Sequence, residues 1–392
     1  MLIYLSIFLV AIIFYFSQKE TPTNERSLLA FFMFLAIFIG LGDMQGGYDR
    51  YIYADVFDMI YDNRAAGRDL RGLYNYVNGT EFGYFFWNVI VSCVTANRYM
   101  FILYTTIFMY ILYYISFKKY MLHFPLACML FLGLFYYFTM TYLRQAIAVG
   151  FAWISIQYIW ERKPSYYFLF ATLAFLFHSS AAIIFPLYFI PIKKYSQSTV
   201  LTILFICLLL SLTPLPFAII TSFGDASGMS SRTNGYANMD IDSGVRLDYL
   251  LEVVVFIFII FKNYQLIPHD KKNLVLLNIS LVFCCIMVFF ARFGQGGRFG
   301  WYFFIGLIYT FTNLSIQAKS LPWIKPFMIA LSFALFFRIT SLWSFNLCPY
   351  KTFLTNGNPC GASYIHDIWE YDHNYDHDKF YRKPFVLFGK KQ

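Results

Sequence analysis

Apolar runs make up most of this chain, and they constrain its fold more than any other feature. Twelve of them follow one another, at residues 2–17, 27–42, 100–117, 124–140, 144–160, 165–177, 179–191, 199–221, 247–262, 274–291, 298–316 and 322–342. Hydrophobic residues form 59% of the 392-residue chain and charged residues only 13%, which is too apolar for a soluble domain. We therefore predict an all-α, polytopic integral membrane protein with about twelve transmembrane helices.

The start and the charge of the chain add two expectations. Residues 1–16 have neither a basic leader nor a small-residue cleavage site, so we expect a retained span instead of a removable signal peptide. The net charge is +9, but the basic residues stand singly or in pairs between apolar runs, where loops meet lipid headgroups. We expect membrane lipid as a partner and no nucleic acid.

Lysine placement predicts the orientation. If each run crosses once, all eleven lysines before residue 344 fall on one side, which the positive-inside rule assigns to the cytoplasm. Both termini then face outward, and residues 82–95 form an interfacial or re-entrant helix. The predicted organisation is a multi-span membrane domain at 1–343, with outer loops at 43–81 and 222–245, and a polar periplasmic tail at 344–392.

The arginines break the rule that the lysines obey. Of the thirteen before residue 344, only Arg26 and Arg162 fall on the lysine side. Four others lie in or beside apolar runs near the outer side: Arg144, Arg292, Arg298 and Arg338. A guanidinium can bind a phosphate or a carboxylate through two parallel hydrogen bonds, which lysine cannot do. We predict a multi-arginine anion site at the outer face; the alternative is four unrelated arginines that snorkel or form salt bridges.

Arg144 and Gln145 interrupt the otherwise apolar stretch Thr139–Trp160. Arginine at the centre of a membrane helix costs about 2.5 to 3.5 kcal/mol on insertion scales, and less towards the ends. An arginine kept at such depth usually binds an anion, although it can also extend to the nearest headgroup. This stretch is the first candidate for a functional centre.

His178 lies between two short apolar runs, 165–177 and 179–191. A helix of that length covers only ~20 Å of a hydrocarbon core that is ~30 Å thick. The hairpin therefore turns below the outer surface, and His178, Ser179 and Ser180 are expected to line a recess. We expect His178 to hydrogen-bond a substrate hydroxyl or phosphate, with a purely structural hydrogen bond as the alternative.

Two outer carboxylates are candidates for a general base. Asp49 follows a Gly46–Gly47 break in a tyrosine-rich stretch, and Glu81 precedes residues 82–95. An attacking hydroxyl needs such a base or hydrogen-bond acceptor, and tyrosines beside carboxylates suit sugar rings. Tyrosines are equally common at membrane interfaces, so this pattern alone does not define a site.

The polar loop and tail give weaker signals. Residues 222–245 are typical of a mobile outer loop or a lid. Cys348 and Cys360 can form a disulfide if the tail is periplasmic. The tail histidines lack tight ligand spacing, so we predict no metal site and no cofactor. They are His366, His373 and His377.

Five short motifs follow one another along the chain: GGYDRY at 46–51, EFGYFFWNVI at 81–90, YLRQAIAVGF at 142–151, LFHSSAAII at 176–184 and GGRFGWYF at 296–303. In this order they resemble the EpsG family, which is related to the Wzy polymerases of O-antigen and capsular polysaccharides. The resemblance implies a GT-C-like enzyme of the bacterial inner membrane that joins oligosaccharide repeat units carried on undecaprenyl diphosphate. It places the active site at the periplasmic face.

The resemblance also implies roles for individual residues. The family's Arg-Gln motif falls on Arg144 and Gln145, its histidine on His178, its acidic positions on Asp49 and Glu81, and its late arginine on Arg298. Arg144, with Arg292, Arg298 or Arg338, would bind the donor diphosphate. A carboxylate would activate the acceptor hydroxyl, and His178 and Tyr142 would line the sugar site.

Other functions share these features. A polysaccharide ligase would use the same face and the same arginines, and an O-acetyltransferase is a further alternative. A flippase for lipid-linked sugars would also need a cationic cavity, but we detect no paired halves with matching broken helices. A chain-length regulator protein is a possible partner of a polymerase.

Overall fold

The protein is described by a computed structural model that covers residues 2–18, 21–42, 48–78, 81–226, 244–317, 322–343, 350, 352–354 and 378–385. Within these ranges the structure is helical and has no strand; an isolated antiparallel bridge joins Gly42 and Thr352. The predicted all-α class is confirmed. Both tail cysteines, the three tail histidines and most of the loop 222–245 lie outside the described residues.

The α-helices are α1 (Leu2–Ser17), α2 (Glu25–Leu41), α3 (Tyr48–Ala65), α4 (Leu70–Asn78), α5 (Phe82–Ser92), α6 (Arg98–Tyr120), α7 (Phe124–Leu134), α8 (Leu143–Ser155), α9 (Gln157–Trp160), α10 (Pro164–Phe177), α11 (Gln197–Ser211), α12 (Leu215–Ala226), α13 (Leu247–Lys262), α14 (Lys271–Phe289), α15 (Gly297–Gly300), α16 (Phe304–Gln317) and α17 (Ile324–Leu342). The 3₁₀ helices are Tyr136–Met140, Ser179–Phe189, Tyr264–Leu266, Gly294–Gly296 and Trp301–Phe303. Asn24 and Asn97 cap α2 and α6 by accepting hydrogen bonds from first-turn N–H groups.

Four helical segments of the described chain are long and apolar enough to cross a membrane: Arg98–Tyr120, Lys271–Phe289, Gly294–Gln317 and Ile324–Leu342. A fifth crossing results if α11 and α12, which meet at a 76° bend, form one broken span. Each predicted apolar run overlaps a helix, but the remaining helices are shorter than a perpendicular span. The structure supports a multi-pass membrane protein, while the count of twelve crossings stays a prediction.

Helix α6 lies at the centre of the bundle, between α2 and α8. Gly150 lets α8 approach α6 closely, since a Cβ at that position would lie 2.8 Å from the Leu112 Cβ. The Tyr113 hydroxyl donates to the Ala146 carbonyl at 2.7 Å, which fixes the register of the two helices. The first turn of α8 is therefore alongside the middle of α6, at mid-depth in the bundle.

The two ends of α6 differ in their charges. Arg98 begins the helix and Lys119 lies in its last turn. Lys119 Nζ lies 3.5 Å from Glu161 Oε1, and Lys272 donates to the Tyr120 carbonyl at 2.9 Å. Lysine-bearing loops that are distant in sequence thus meet at one end, which we call the lysine end; the other is the Arg98 end. Which end faces the cytoplasm stays a prediction.

Helix α5 occupies much of the stretch predicted to be interfacial or re-entrant. Its eleven residues span about 17 Å at 1.5 Å per residue, about half of a hydrocarbon core. Trp87 donates to the Thr105 hydroxyl at 2.9 Å, and Arg64 donates to the Ser92 carbonyl at 2.5 Å. Helix α5 therefore starts at mid-depth beside α6 and ends near the Arg98 end.

Candidate active site

Arg144 and Glu81 form an ion pair at mid-depth. Arg144 is the second residue of α8, and Glu81 directly precedes α5. Only 4% of the Glu81 side chain and 19% of the Arg144 side chain are exposed. Each charge compensates for the desolvation of the other, so removing either partner would leave a buried charge. The anion that Arg144 contacts in this structure is thus a protein carboxylate.

Two tyrosine rings flank the Arg144 guanidinium. Its central carbon lies 5.2 Å from the ring centre of Tyr53 and 5.9 Å from that of Tyr84. The rings are 5.7 Å apart in an edge-to-face arrangement. Aromatic faces stabilise a cation that has lost part of its hydration. Residues of α3, α5 and α8 therefore surround one charge.

Asp49, the other predicted carboxylate, lies one turn before Tyr53 on α3. Residues four apart share a face of a helix, so Asp49 lies on the side of α3 that carries Tyr53, whose ring faces the Arg144 guanidinium. This spacing puts Asp49 at the edge of the site.

His178 ends α10 and begins the 3₁₀ helix Ser179–Phe189. Its Nε2 lies 3.9 Å from Glu81 Oε1. Its Nδ1 accepts the Ser180 N–H at 3.3 Å and lies 2.7 Å from the Ser180 hydroxyl. Because Nδ1 is an acceptor, the neutral imidazole carries its proton on Nε2, the nitrogen that faces Glu81.

A chain of hydrogen bonds continues from His178 into the bundle. The Ser180 hydroxyl lies 2.8 Å from the Tyr302 hydroxyl and accepts from Gln145 Nε2 at 3.4 Å. Because Nδ1 is an acceptor, the 2.7 Å contact requires the Ser180 hydroxyl to donate to it, and a hydroxyl has only one proton, so Tyr302 donates to the Ser180 oxygen. The donors then point in one direction, from Tyr302 through Ser180 and His178 towards Glu81.

Arg298, from α15, joins this site through α8. Its guanidinium carbon lies 4.2 Å from the ring centre of Tyr142, the residue before α8. Its carbonyl accepts from Gln145 Nε2 at 2.9 Å. The structure thus brings together seven of the residues singled out in the sequence: Asp49, Glu81, Tyr142, Arg144, Gln145, His178 and Arg298.

The other two predicted arginines are placed elsewhere. Arg292 donates to the Leu212 carbonyl at 3.4 Å and lines a cavity of about 310 Å³ at the bend between α11 and α12. Arg338 of α17 forms an ion pair with Glu252 of α13, whose side chain is 14% exposed. The contacts of Arg338 therefore match the salt-bridged alternative, and the four arginines do not form a single cluster.

Sequence reasoning missed the contributions of Tyr53, Tyr84 and Tyr302. Each belongs to an aromatic-rich stretch that is equally typical of membrane interfaces, so only its neighbours in space distinguish it. Among the residues that the structure describes, no group of three or more His, Cys, Asp or Glu side chains could hold a metal ion.

Helices of this kind around a buried carboxylate and a partly buried arginine and histidine define an all-helical, multi-pass membrane protein with a polar site at mid-depth. The model of the EpsG family matches residues 25–352, which is most of the chain. The protein belongs to the EpsG family, a Wzy-like polysaccharide polymerase family. Neither a curated protein nor a solved structure matches the chain significantly.

Proposed function

We propose that the protein polymerises oligosaccharide repeat units carried on undecaprenyl diphosphate, at the periplasmic face of the bacterial inner membrane. The observation that carries this proposal is the cluster of Arg144, Glu81 and His178, in which Glu81 is buried, in a member of this family. A twelve-span, GT-C-like arrangement is part of the proposal. The meeting of the lysine-bearing loops at the opposite end of α6 supports the periplasmic orientation.

Arg144 binds the diphosphate of the donor in this scheme, and Arg298 assists from the Tyr142 side. A diphosphate carries more negative charge than a carboxylate and offers oxygens for bidentate hydrogen bonds, so it competes with Glu81 for the guanidinium. Charge develops on the departing diphosphate as the sugar bond breaks. A cation held in a partly dehydrated site stabilises that charge strongly.

Glu81 serves as the base once the donor has taken its place on Arg144. The acceptor hydroxyl oxygen attacks the anomeric carbon, and the bond from that carbon to the phosphate oxygen breaks. The electron pair leaves with undecaprenyl diphosphate, and the hydroxyl proton moves to Glu81. His178 Nε2 lies 3.9 Å from Glu81 Oε1 and supplies a polar neighbour to the carboxylate, while Asp49 is the second candidate for the base.

Incubation of the purified full-length protein in liposomes with a lipid-linked repeat unit tests the function. A ladder of products with released undecaprenyl diphosphate supports a polymerase. One transfer to a different acceptor indicates a ligase, and movement of the lipid without release indicates a flippase; either result contradicts the proposal. The same assay on Arg144→Ala tests the role of this arginine. Arg26→Ala is the matched control, because Arg26 is exposed at the start of α2.

A further inference from the structure

The segment 378–385, which follows the family match, is docked against the Arg98 end. The Asn97 side-chain amide donates to the Lys379 carbonyl at 2.7 Å and to the Arg382 carbonyl at 3.0 Å. Lys379 is fully buried, and its Nζ lies 5.9 Å from the ring centre of Tyr99. A buried lysine and two backbone carbonyls held by one amide show that this segment is an integral part of the packing.

Tyr381 and Arg382 of this segment contact the acidic face of α3. The Tyr381 hydroxyl donates to Asp58 Oδ2 at 2.8 Å. Arg382 Nη2 donates to Asp62 Oδ2 at 2.9 Å, and its Nη1 lies 3.6 Å from Asp58 Oδ1. The Asp58 side chain is only 7% exposed, so its charge has to be balanced by these neighbours.

Arg98 completes the network from α6. Its Nε donates to Asp58 Oδ2 at 3.0 Å, and its Nη2 donates to Asp55 Oδ1 at 2.8 Å. Phe57 of α3 stacks on Phe101 of α6, with ring centres 4.5 Å apart. Helix α3 is therefore held between α6 on one side and the C-terminal segment on the other.

The N-terminal half of α3 reaches the candidate active site. Asp58 is five residues, or about 7 Å along a helix, from Tyr53, whose ring faces the Arg144 guanidinium. A helix is stiff over this distance, so a displacement at Asp58 moves Tyr53 and Asp49 as well. We infer that Tyr381 and Arg382 are positioning residues, which hold α3 so that Tyr53 and Asp49 close the donor site. This inference rests on the proposed function.

Hydrogen–deuterium exchange of α3 in full-length Arg382→Gln, with Arg382→Lys as the conservative control, tests the coupling without turnover. We expect amides around Asp49 and Tyr53 to exchange roughly tenfold faster in the Gln variant, and the Lys variant to resemble the wild type. Unchanged exchange in the Gln variant would overturn the inference.

Kinetics with the lipid-linked donor distinguish positioning from general destabilisation. Glu81, Arg144 and His178 lie on elements other than α3, so we expect KM to rise several-fold in Arg382→Gln while kcat stays within about twofold. A fall in kcat with unchanged KM would contradict the inference. If the wild type yields no product ladder, the proposed function fails. The exchange experiment alone then decides whether the C-terminal segment positions α3.

A covalent tether tests whether the effects of losing the ion pair result from misfolding. In the double variant Asp62→Cys with Arg382→Cys, a short bis-methanethiosulfonate linker replaces the ion pair within the same protein sample. We expect linking to return both KM and the exchange of α3 towards wild-type values. A KM that stays raised in the linked protein would mean that the ion pair does not position α3.

Discussion

Glu81 and Arg144, 63 positions apart in the chain, meet as a buried ion pair alongside the middle of α6. A pair of this kind can hold the site in a neutral state until a stronger anion arrives. In the proposed reaction that anion is the donor diphosphate, and its binding releases the carboxylate close to the reacting centre. Binding of the donor and activation of the acceptor are thereby coupled through one guanidinium.

Glu81→Gln should abolish most of the activity while leaving donor binding in place. The amide keeps the shape of the side chain but cannot take the acceptor proton, so we expect kcat to fall by about 10² to 10⁴. Single-turnover product formation and donor binding, measured on the same preparation, test this. Near-normal kcat in folded Glu81→Gln would remove Glu81 as the base and leave Asp49 as the remaining candidate.

Arg144→Lys should fail almost as completely as Arg144→Ala. Lysine keeps the positive charge but loses the planar fork, and it cannot lie over Tyr53 and Tyr84 in the same way. We expect both variants to make no long polymer when compared with the wild type at equal amounts of protein in the membrane, as judged by gel analysis of cell-derived polysaccharide. Wild-type chain length in Arg144→Ala would rule out its role.

Tyr302→Phe isolates the hydrogen-bond chain from the packing of the ring. Without the Tyr302 hydroxyl, the Ser180 oxygen loses a donor that polarises its own hydrogen bond to His178 Nδ1, so this bond weakens and holds the imidazole less firmly. We expect kcat to fall by about tenfold and the pH profile to shift, with little change in melting temperature. An unaltered pH profile would mean that this chain does not act on His178.

The Arg338–Glu252 pair is expected to contribute to stability. Arg338→Met leaves the mostly buried Glu252 without its cation and should cost about 1–3 kcal/mol of unfolding free energy. Adding Glu252→Gln removes the unpaired charge and should recover most of the loss. Thermal unfolding of both single variants and the double variant gives the coupling energy. Loss of donor affinity in the folded double variant would indicate that Arg338 binds the substrate.

We expect the stability of the folded protein to depend on pH through His123, which lies at the lysine end. Burial and the Lys325 charge lower its pKa from 6.5 to about 4. Between these values the unfolded chain binds a proton that the folded protein does not, so stability falls as the pH drops from about 6.5 to about 4, by up to about 3 kcal/mol. Melting temperatures of wild type and His123→Asn across this range test it. Asparagine preserves the cap on the Leu126 N–H, so equal pH dependence in both proteins would contradict the assignment.

Part of the candidate site was predictable because Arg144 and His178 are locally out of place. Arg144 stands in an apolar run and His178 between two short ones, and both observations need only the neighbouring sequence. The position of Arg338 was equally unusual, yet its partner is Glu252 on another helix. A local pattern indicates that a buried charge needs a partner, but it does not identify which side chain, 86 positions away, supplies it.

The sequence by itself determined the membrane class, the all-α fold and the family, and it singled out seven residues that the structure brings together, because hydropathy and displaced charges are properties of short segments. Only the tertiary structure decided that Glu81 is the anion on Arg144, that Tyr302 and Ser180 orient His178, and that the C-terminal segment holds α3. These contacts depend on the register between helices that are distant in the chain. Close packing at positions such as Gly150 sets that register, and no single segment encodes it.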